Sequence, residues 1–389
     1  MAEHAVVSPS AAHRWMECTP SARLEQQFPD TRSESAAEGT FAHAWAEMEL
    51  KEFIKDSRTY KDDKAQLMKN DFWSPALEEY VEEYINEVIH RYLNARDRDS
   101  AAVLLLEQKL DLREWVPDGF GRGDAVIVSD GTMEILDLKY GRNVPVTAVG
   151  NPQLRLYALG AYRELSCVYD IDRVRMTIVQ PRNGGISSEE LTSDGLLIWG
   201  ESVKPLAEKA FKGEGDFVPG EHCRFCRAQN RCRALAEYEM EIAKKQFDDM
   251  SLLTDDEISD ILEKAEGLVS WVNGITAYAL REAVENGRKW PGWKLVEGRS
   301  NRKLKDENEA RKILEKAGYT EEQIMKPREI KGFTDLEKLT GKKKLDALLK
   351  DVILKPPGKP KLAPESDKRP EWNSAKADFD DLDKEAIPF

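Results

Sequence analysis

The stretch "GRGDAVIVSDGTMEILDLKYG", Gly121 to Gly141, decides how the chain folds. Two runs rich in strand-forming residues flank Asp130-Gly131, a dipeptide suited to a tight hairpin turn. Asp124 stands on the first strand, and Asp137 and Lys139 stand on the second. A spacing of two puts Asp137 and Lys139 on one face of the pleat. Carboxylates from adjacent strands that meet on one face form a hard-oxygen site suited to Mg²⁺ or Mn²⁺. A lysine beside such a site can orient an attacking water or stabilise charge building on a phosphate. Glu107, on the preceding strand, offers a further carboxylate. An isolated Asp-x-Lys is usually a surface ion pair, so its meaning depends on the surrounding chain.

Upstream, "AAVLLLEQKLDL" (101–112) reads as another strand. Residues 35–53 read as a helix with Phe41, Trp45 and Met48 on one face, and a second helix is predicted from Ser74 to Asn94. Downstream, 150–165 reads as a helix with Asn151 as cap and Pro152 at its first position. "DRVRMTIVQPR" (172–182) follows as a strand, and then a helix from about Ser188 to Phe211. The pattern predicts an α/β core with additional helices. Past it lie a long amphipathic helix (254–287), a strand-like "WKLVEG" (293–298) and a few small helices up to Leu354. Three regions are expected: 1–235, a helical and locally basic 236–354, and a proline-rich disordered tail, 355–389.

The 389 residues are 41% apolar and 33% charged, as expected of a soluble protein with a real core. No apolar run reaches the roughly 18 residues a membrane helix needs, so no membrane partner is expected. The first residues lack the features of a secretory signal, and a cytoplasmic location is predicted. The net charge of −14 conceals an asymmetry, because 302–361 holds 17 Lys/Arg against 11 Asp/Glu while 378–389 holds five acids and one lysine. In a reducing compartment the cluster "EHCRFCRAQNRC" (221–232) reads as metal ligands rather than disulfides. Cys223, Cys226 and Cys232 lack a fourth nearby thiol, and spacing alone favours Zn²⁺. Cys167 reads as a small buried residue.

Two further pairs complete a pattern. "EGTFAH" (38–43) sets Gly39 and His43 four apart, and "PQLRLYALGAY" (152–162) sets Gln153 and Tyr157 one helical turn apart. With Gly121, Asp124, Asp137 and Lys139 between them, the chain resembles the RecB-type branch of the PD-(D/E)xK nucleases over roughly residues 8–235. No proline precedes the first acid, a departure from the motif that gives the family its name. The resemblance implies a restriction-endonuclease-like core, a mixed sheet flanked by helices, with a helical C-terminal extension. It implies that His43, Asp124 and Asp137 hold a metal, with the Leu138 carbonyl as a further ligand. Lys139 would be the catalytic lysine, and Gln153 and Tyr157 would contact DNA or brace the site.

In one group of these nucleases, which includes AddB, four cysteines hold a [4Fe–4S] cluster, one before the core and three after it. Cys18 matches the first position, and Cys223, Cys226 and Cys232 match the others. The order of motifs, with "ESDKRPEW" (365–372), is also similar to phage and prophage proteins associated with recombination. The end of the chain resembles the tip of bacterial single-stranded-DNA-binding protein (SSB). Asp378, Phe379, Asp380 and Asp381 match its acidic half, and Ile387, Pro388 and Phe389 match its end. Such a tip implies docking to host repair proteins that bind SSB, or to a phage single-strand-binding or annealing protein. The expected activity is that of a Mg²⁺- or Mn²⁺-dependent deoxyribonuclease, an exonuclease of phage recombination or repair. The alternative is a catalytically silent DNA-binding adaptor that recruits or competes for SSB-binding proteins.

Overall fold

The computed structural model describes residues 5–29, 34–142, 144–183, 185–243, 254–294 and 332–350, with isolated positions 296, 312, 316 and 352. Five strands form one mixed sheet in the order β1-β2-β3-β4-β5. They are β1 (Val103–Asp111), β2 (Phe120–Ser129), β3 (Thr132–Leu138), β4 (Arg173–Gln180) and β5 (Gly185–Thr192). The first three form an antiparallel meander, with Gly131 at φ +83° in the hairpin turn where a side chain would be strained. β4 lies parallel to β3 and β5 antiparallel to β4.

The helices are α1 (Ala12–Trp15), α2 (Ser21–Leu24), α3 (Glu34–Phe53), α4 (Tyr60–Leu67), α5 (Pro75–Arg98) and α6 (Pro152–Leu165). They continue with α7 (Ser193–Lys212), α8 (Arg233–Ala243), α9 (Asp255–Glu285), α10 (Phe333–Thr340) and α11 (Lys342–Leu348). Ser74 and Asn151 cap α5 and α6 as their sequences predict, accepting hydrogen bonds from the Leu77 and Leu154 amides. α6 is the crossover between β3 and β4, the connection that parallel neighbours require.

Each face of the sheet is covered by its own apolar layer. On one face Val126, Val128, Met133 and Ile135 pack against Leu154 and Leu159 of α6, Leu196 of α7 and Trp15 of α1. On the other, Ala125, Ile127, Leu136 and Leu138 pack against Trp45 of α3 and Tyr84 and Val88 of α5. The polar-looking N-terminal segment is therefore a core element, with Val7, Ala12 and Trp15 buried.

Several boundaries differ from the sequence reading. The segment expected to open a helix at Ser188 is instead the edge strand β5, and α7 begins at Ser193, capped by Thr192. "GISSEELT" has no apolar stripe because neither face of this edge is deeply buried, so only pairing with β4 makes it a strand. α5 runs on to Arg98, and α4 has no counterpart in the sequence reading. The described residues of 293–298 are not in a strand. α10 and α11 return to α5, where Tyr80 Oη donates to Glu337 at 2.9 Å and the Lys343 amide donates to Glu79 at 2.9 Å.

Candidate functional site

The antiparallel ladder between β2 and β3 ends at the pair Ala125–Leu136. Beyond it β2 stays with β1 and β3 stays with β4, so the strands fork, and Asp124 and Asp137 are the first residues inside the fork. Lys139 donates its amide to Val179 O at 2.9 Å, so the peptide groups of Leu138 face away from β4. The Leu138 amide finds the Asp124 carboxylate instead of a strand partner, at 2.9 Å. A residue's N–H and C=O leave a strand on the same side, so the Leu138 carbonyl also faces the fork.

A second irregularity crosses β1 and β2 at the same level. Leu104 and Leu106 belong to the α3/α5 layer, yet Gln108 donates to Glu164 of α6 at 3.3 Å and Leu110 lies in the α6 layer. Strict alternation would keep Gln108 and Leu110 with Leu106. β2 inverts too: Ala125 and Ile127 face α3 and α5, whereas a Cβ on Gly121 or Gly123 would point at Tyr157 or Leu110 of the α6 layer. The row where both strands change face is Glu107 and Asp124, which is missing from the ladder between Leu106–Ala125 and Gln108–Gly123. Glu107 takes φ +50°, a conformation that costs a non-glycine residue on the order of 1–3 kcal/mol.

The inversion brings both carboxylates to α3. His43 Nδ1 lies 3.2 Å from Asp124 Oδ2, and one ligand atom each of His43, Glu107 and Asp124 fall within 4.8 Å of one another. Asp137 is 2% exposed and pairs with Lys139 Nζ at 2.7 Å. Lys139 Nζ in turn donates to Gln153 Oε1 at 3.1 Å, and Gln153 Nε2 donates to Tyr157 Oη at 3.0 Å. Every core residue of the four sequence motifs thus meets at one end of the sheet. Gly121 is explained by packing, since a Cβ there would sit 2.6 Å from the Tyr157 ring. Gly39 is not, because a Cβ there meets nothing within 4 Å.

Charges in the fork oppose one another. Burial works against a charged His43, yet Asp124 raises its pKa to about 9. Burial, with Asp124 and Glu47 close by, pushes Glu107 up to about 7. Burial also raises Asp137, while Asp124 is held below the usual carboxylate range by His43 despite its own burial. Tyr84 of α5 is a member that sequence reading missed. Its phenol is fully buried, has no hydrogen-bond partner among the described residues and is held protonated by burial and by Asp124, Asp137 and Glu107. In sequence it is an ordinary apolar-face residue of a helix.

Cys18, Cys223, Cys226 and Cys232 line one small pocket some distance along the chain from these motifs. No three of their sulfurs approach within 4.8 Å among the described residues. A protein-only clasp holds the two segments together. Arg14 and Glu25 form a buried pair at 2.7 Å, Arg14 donates to Phe225 O at 3.1 Å, and Glu25 accepts from the Arg227 amide at 2.7 Å. Arg23 donates to Phe211 O beside it. Cys167 is exposed, contrary to expectation, because it lies just past the end of α6 on the surface turn that leads to β4. The tip residues Asp378, Phe379, Asp380, Asp381, Ile387, Pro388 and Phe389 lie outside the described residues.

A family model described as "Protein of unknown function (DUF2800)" matches residues 4–370. A solved structure titled "Crystal structure of SSO0001" is similar at 14% identity, over 56% of this chain and 95% of that one, with a TM-score of 0.22.

Proposed function

The chain belongs to the DUF2800 family, and we propose that it is a metal-dependent deoxyribonuclease with a RecB-type PD-(D/E)xK core, acting as an exonuclease in phage recombination or repair. The observation that carries this reading is the convergence of Asp124, Asp137, Lys139, His43 and Gln153 on one fork, from segments as far apart as α3 and α6. His43, Glu107 and Asp124 offer mixed nitrogen and oxygen donors within 4.8 Å, a set that suits Mg²⁺ or Mn²⁺. Asp137 and the Leu138 carbonyl would complete that set. A bound cation would supply Lewis-acid polarisation of the phosphodiester and a more acidic water. Asp137 keeps Lys139 charged against its burial, and Gln153 aims the ammonium. Lys139 then stands ready to orient the nucleophile and to stabilise charge on the phosphate. The direct test is degradation of linear and single-stranded DNA with Mn²⁺ and with EDTA; absence of cation-dependent cleavage on either substrate would overturn the reading.

Gly39 supports it from another direction. A glycine inside a helix costs about 0.5–1 kcal/mol relative to alanine, and no packing contact among the described residues calls for it. The space is instead suited to the close approach of a substrate backbone. Gly39→Ala is therefore expected to raise thermal stability slightly while lowering DNA degradation, and unchanged activity would remove this role.

The same set predicts a pH dependence. His43 is raised from 6.5 to about 9, so its contribution to stability is full below about 6.5 and is lost as pH climbs through 9. Glu107 is raised from 4.5 to about 7, so ionising it penalises the folded state as pH rises across that window. Both effects lower the stability of the chelated protein toward alkaline pH. Metal binding displaces these protons, so the Mn²⁺-induced rise in melting temperature should be larger at pH 8 than at pH 6. Equal shifts at both pH values would exclude His43 and Glu107 as ligands.

By the same family likeness, Cys18, Cys223, Cys226 and Cys232 are assigned to a [4Fe–4S] cluster, with Zn²⁺ as the alternative. Anaerobic purification should give absorption near 400 nm, and a colourless zinc protein would reverse the assignment. By its likeness to the SSB tip, the end of the chain is assigned to docking on SSB-binding repair proteins.

A further inference from the structure

A polar pocket of about 120 Å³ opens at the opposite end of the sheet from the fork, between the last turns of α5 and strands β2 to β5. Four arginines line it, Arg91, Arg98, Arg173 and Arg175, against two carboxylates, Glu134 and Glu190. The carboxylates are already committed. Glu134, 7% exposed, is bound by Arg91 at 2.6 Å and by the Thr177 hydroxyl at 2.8 Å. Glu190 takes both Nε and Nη2 of Arg175, at 3.1 and 2.7 Å. Arg91 is further fixed by Glu87 at 2.6 Å.

Two guanidinium groups are held less tightly. Arg98 forms no ion pair among the described residues, and Arg173 reaches Glu190 only at 3.6 Å. Both are exposed at the pocket's rim, while Arg91 and Arg175 are each held by short ion pairs to the pocket's carboxylates. A guanidinium presents a planar fork that matches phosphate oxygens two at a time, and a site with fixed inner donors loses little entropy when it closes on such a group.

We propose that this pocket is a phosphate-binding site, separate from the fork, in which Arg98 and Arg173 close on the anion over a floor set by Arg91 and Arg175. The site does not depend on the nuclease reading, since none of its residues belongs to the fork.

The test is calorimetric titration of the full chain in EDTA, where no hydrolysis occurs, with inorganic pyrophosphate against chloride at equal ionic strength. The wild-type protein should bind pyrophosphate, and R98A/R173A should weaken that binding at least tenfold while keeping its circular dichroism, since both side chains are exposed. Competition then identifies the source of the phosphate. Displacement of pyrophosphate by an unphosphorylated oligonucleotide assigns the pocket to nucleic-acid backbone. Failure of the oligonucleotide to compete assigns it to free phosphate compounds such as nucleotides. Wild-type affinity in R98A/R173A, or no binding beyond the chloride control, overturns the proposal.

Discussion

Asp137→Asn should keep its fold and lose DNA degradation by about a thousandfold, the scale seen when a preorganised electrostatic group is removed from an active site. The substitution preserves size and hydrogen-bonding shape but removes the charge that pairs with Lys139 at 2.7 Å. Without it Lys139 loses the partner that keeps it protonated against burial. Lys139→Ala should cost a similar factor. The double variant should fall little further, because residues that act as one unit are strongly non-additive. Initial rates with Mn²⁺ on linear DNA measure all three, with circular dichroism as the control on folding. Full activity in Asp137→Asn would move the chemistry away from the fork altogether.

The largest effect on stability is expected from Glu25→Ala. Arg14 and Glu25 are 11% and 5% exposed at the side chain, and each also holds a backbone group of the cysteine segment. Truncating Glu25 leaves a buried guanidinium uncompensated and the Arg227 amide without its acceptor, a loss of about 3–5 kcal/mol. Replacing both partners by apolar residues, as in Arg14→Met with Glu25→Leu, should recover much of it, since the pair's desolvation penalty disappears with its charges. Urea unfolding of the three proteins gives the comparison. In cluster-free protein the thiol of Cys226, which burial pushes up to about 12, should also react faster with an alkylating reagent once the clasp is open. A loss under about 1 kcal/mol would mean that the cysteine segment is held by other contacts.

The candidate site was legible in the sequence to an unusual degree, for a local reason. Asp124, Asp137, Lys139, Gln153 and Tyr157 sit on one hairpin and the helix that follows, where strand alternation and helical spacing decide which side chains meet. Cys18 could be joined to Cys223, Cys226 and Cys232 only by family likeness, since nothing in spacing links residues about 200 apart in the chain. What stayed hidden depends on tertiary context. The apolar run Val103–Leu106 gives no phase, so the change of face at Glu107 leaves no trace in the pattern. β5 lacks an apolar stripe and owes its form to β4. Arg14 and Glu25 look like ordinary charges of a polar segment, and only the fold buries them together.

The change of face in β1 and β2 has a mechanical consequence. An ordinary hairpin gives one layer its even residues and the other its odd residues along its whole length. Here each strand crosses over midway: both apolar layers hold the strands on the Leu104–Leu106 side of Glu107 and Asp124, and beyond that row the α6 layer takes over through Leu110 and the positions of Gly121 and Gly123. A layer that slid along the sheet would have to drag the crossing row with it. The carboxylates are thereby tied to two cores at once, so a packing defect in either layer, far from any ligand atom, will be felt as a displacement at the fork.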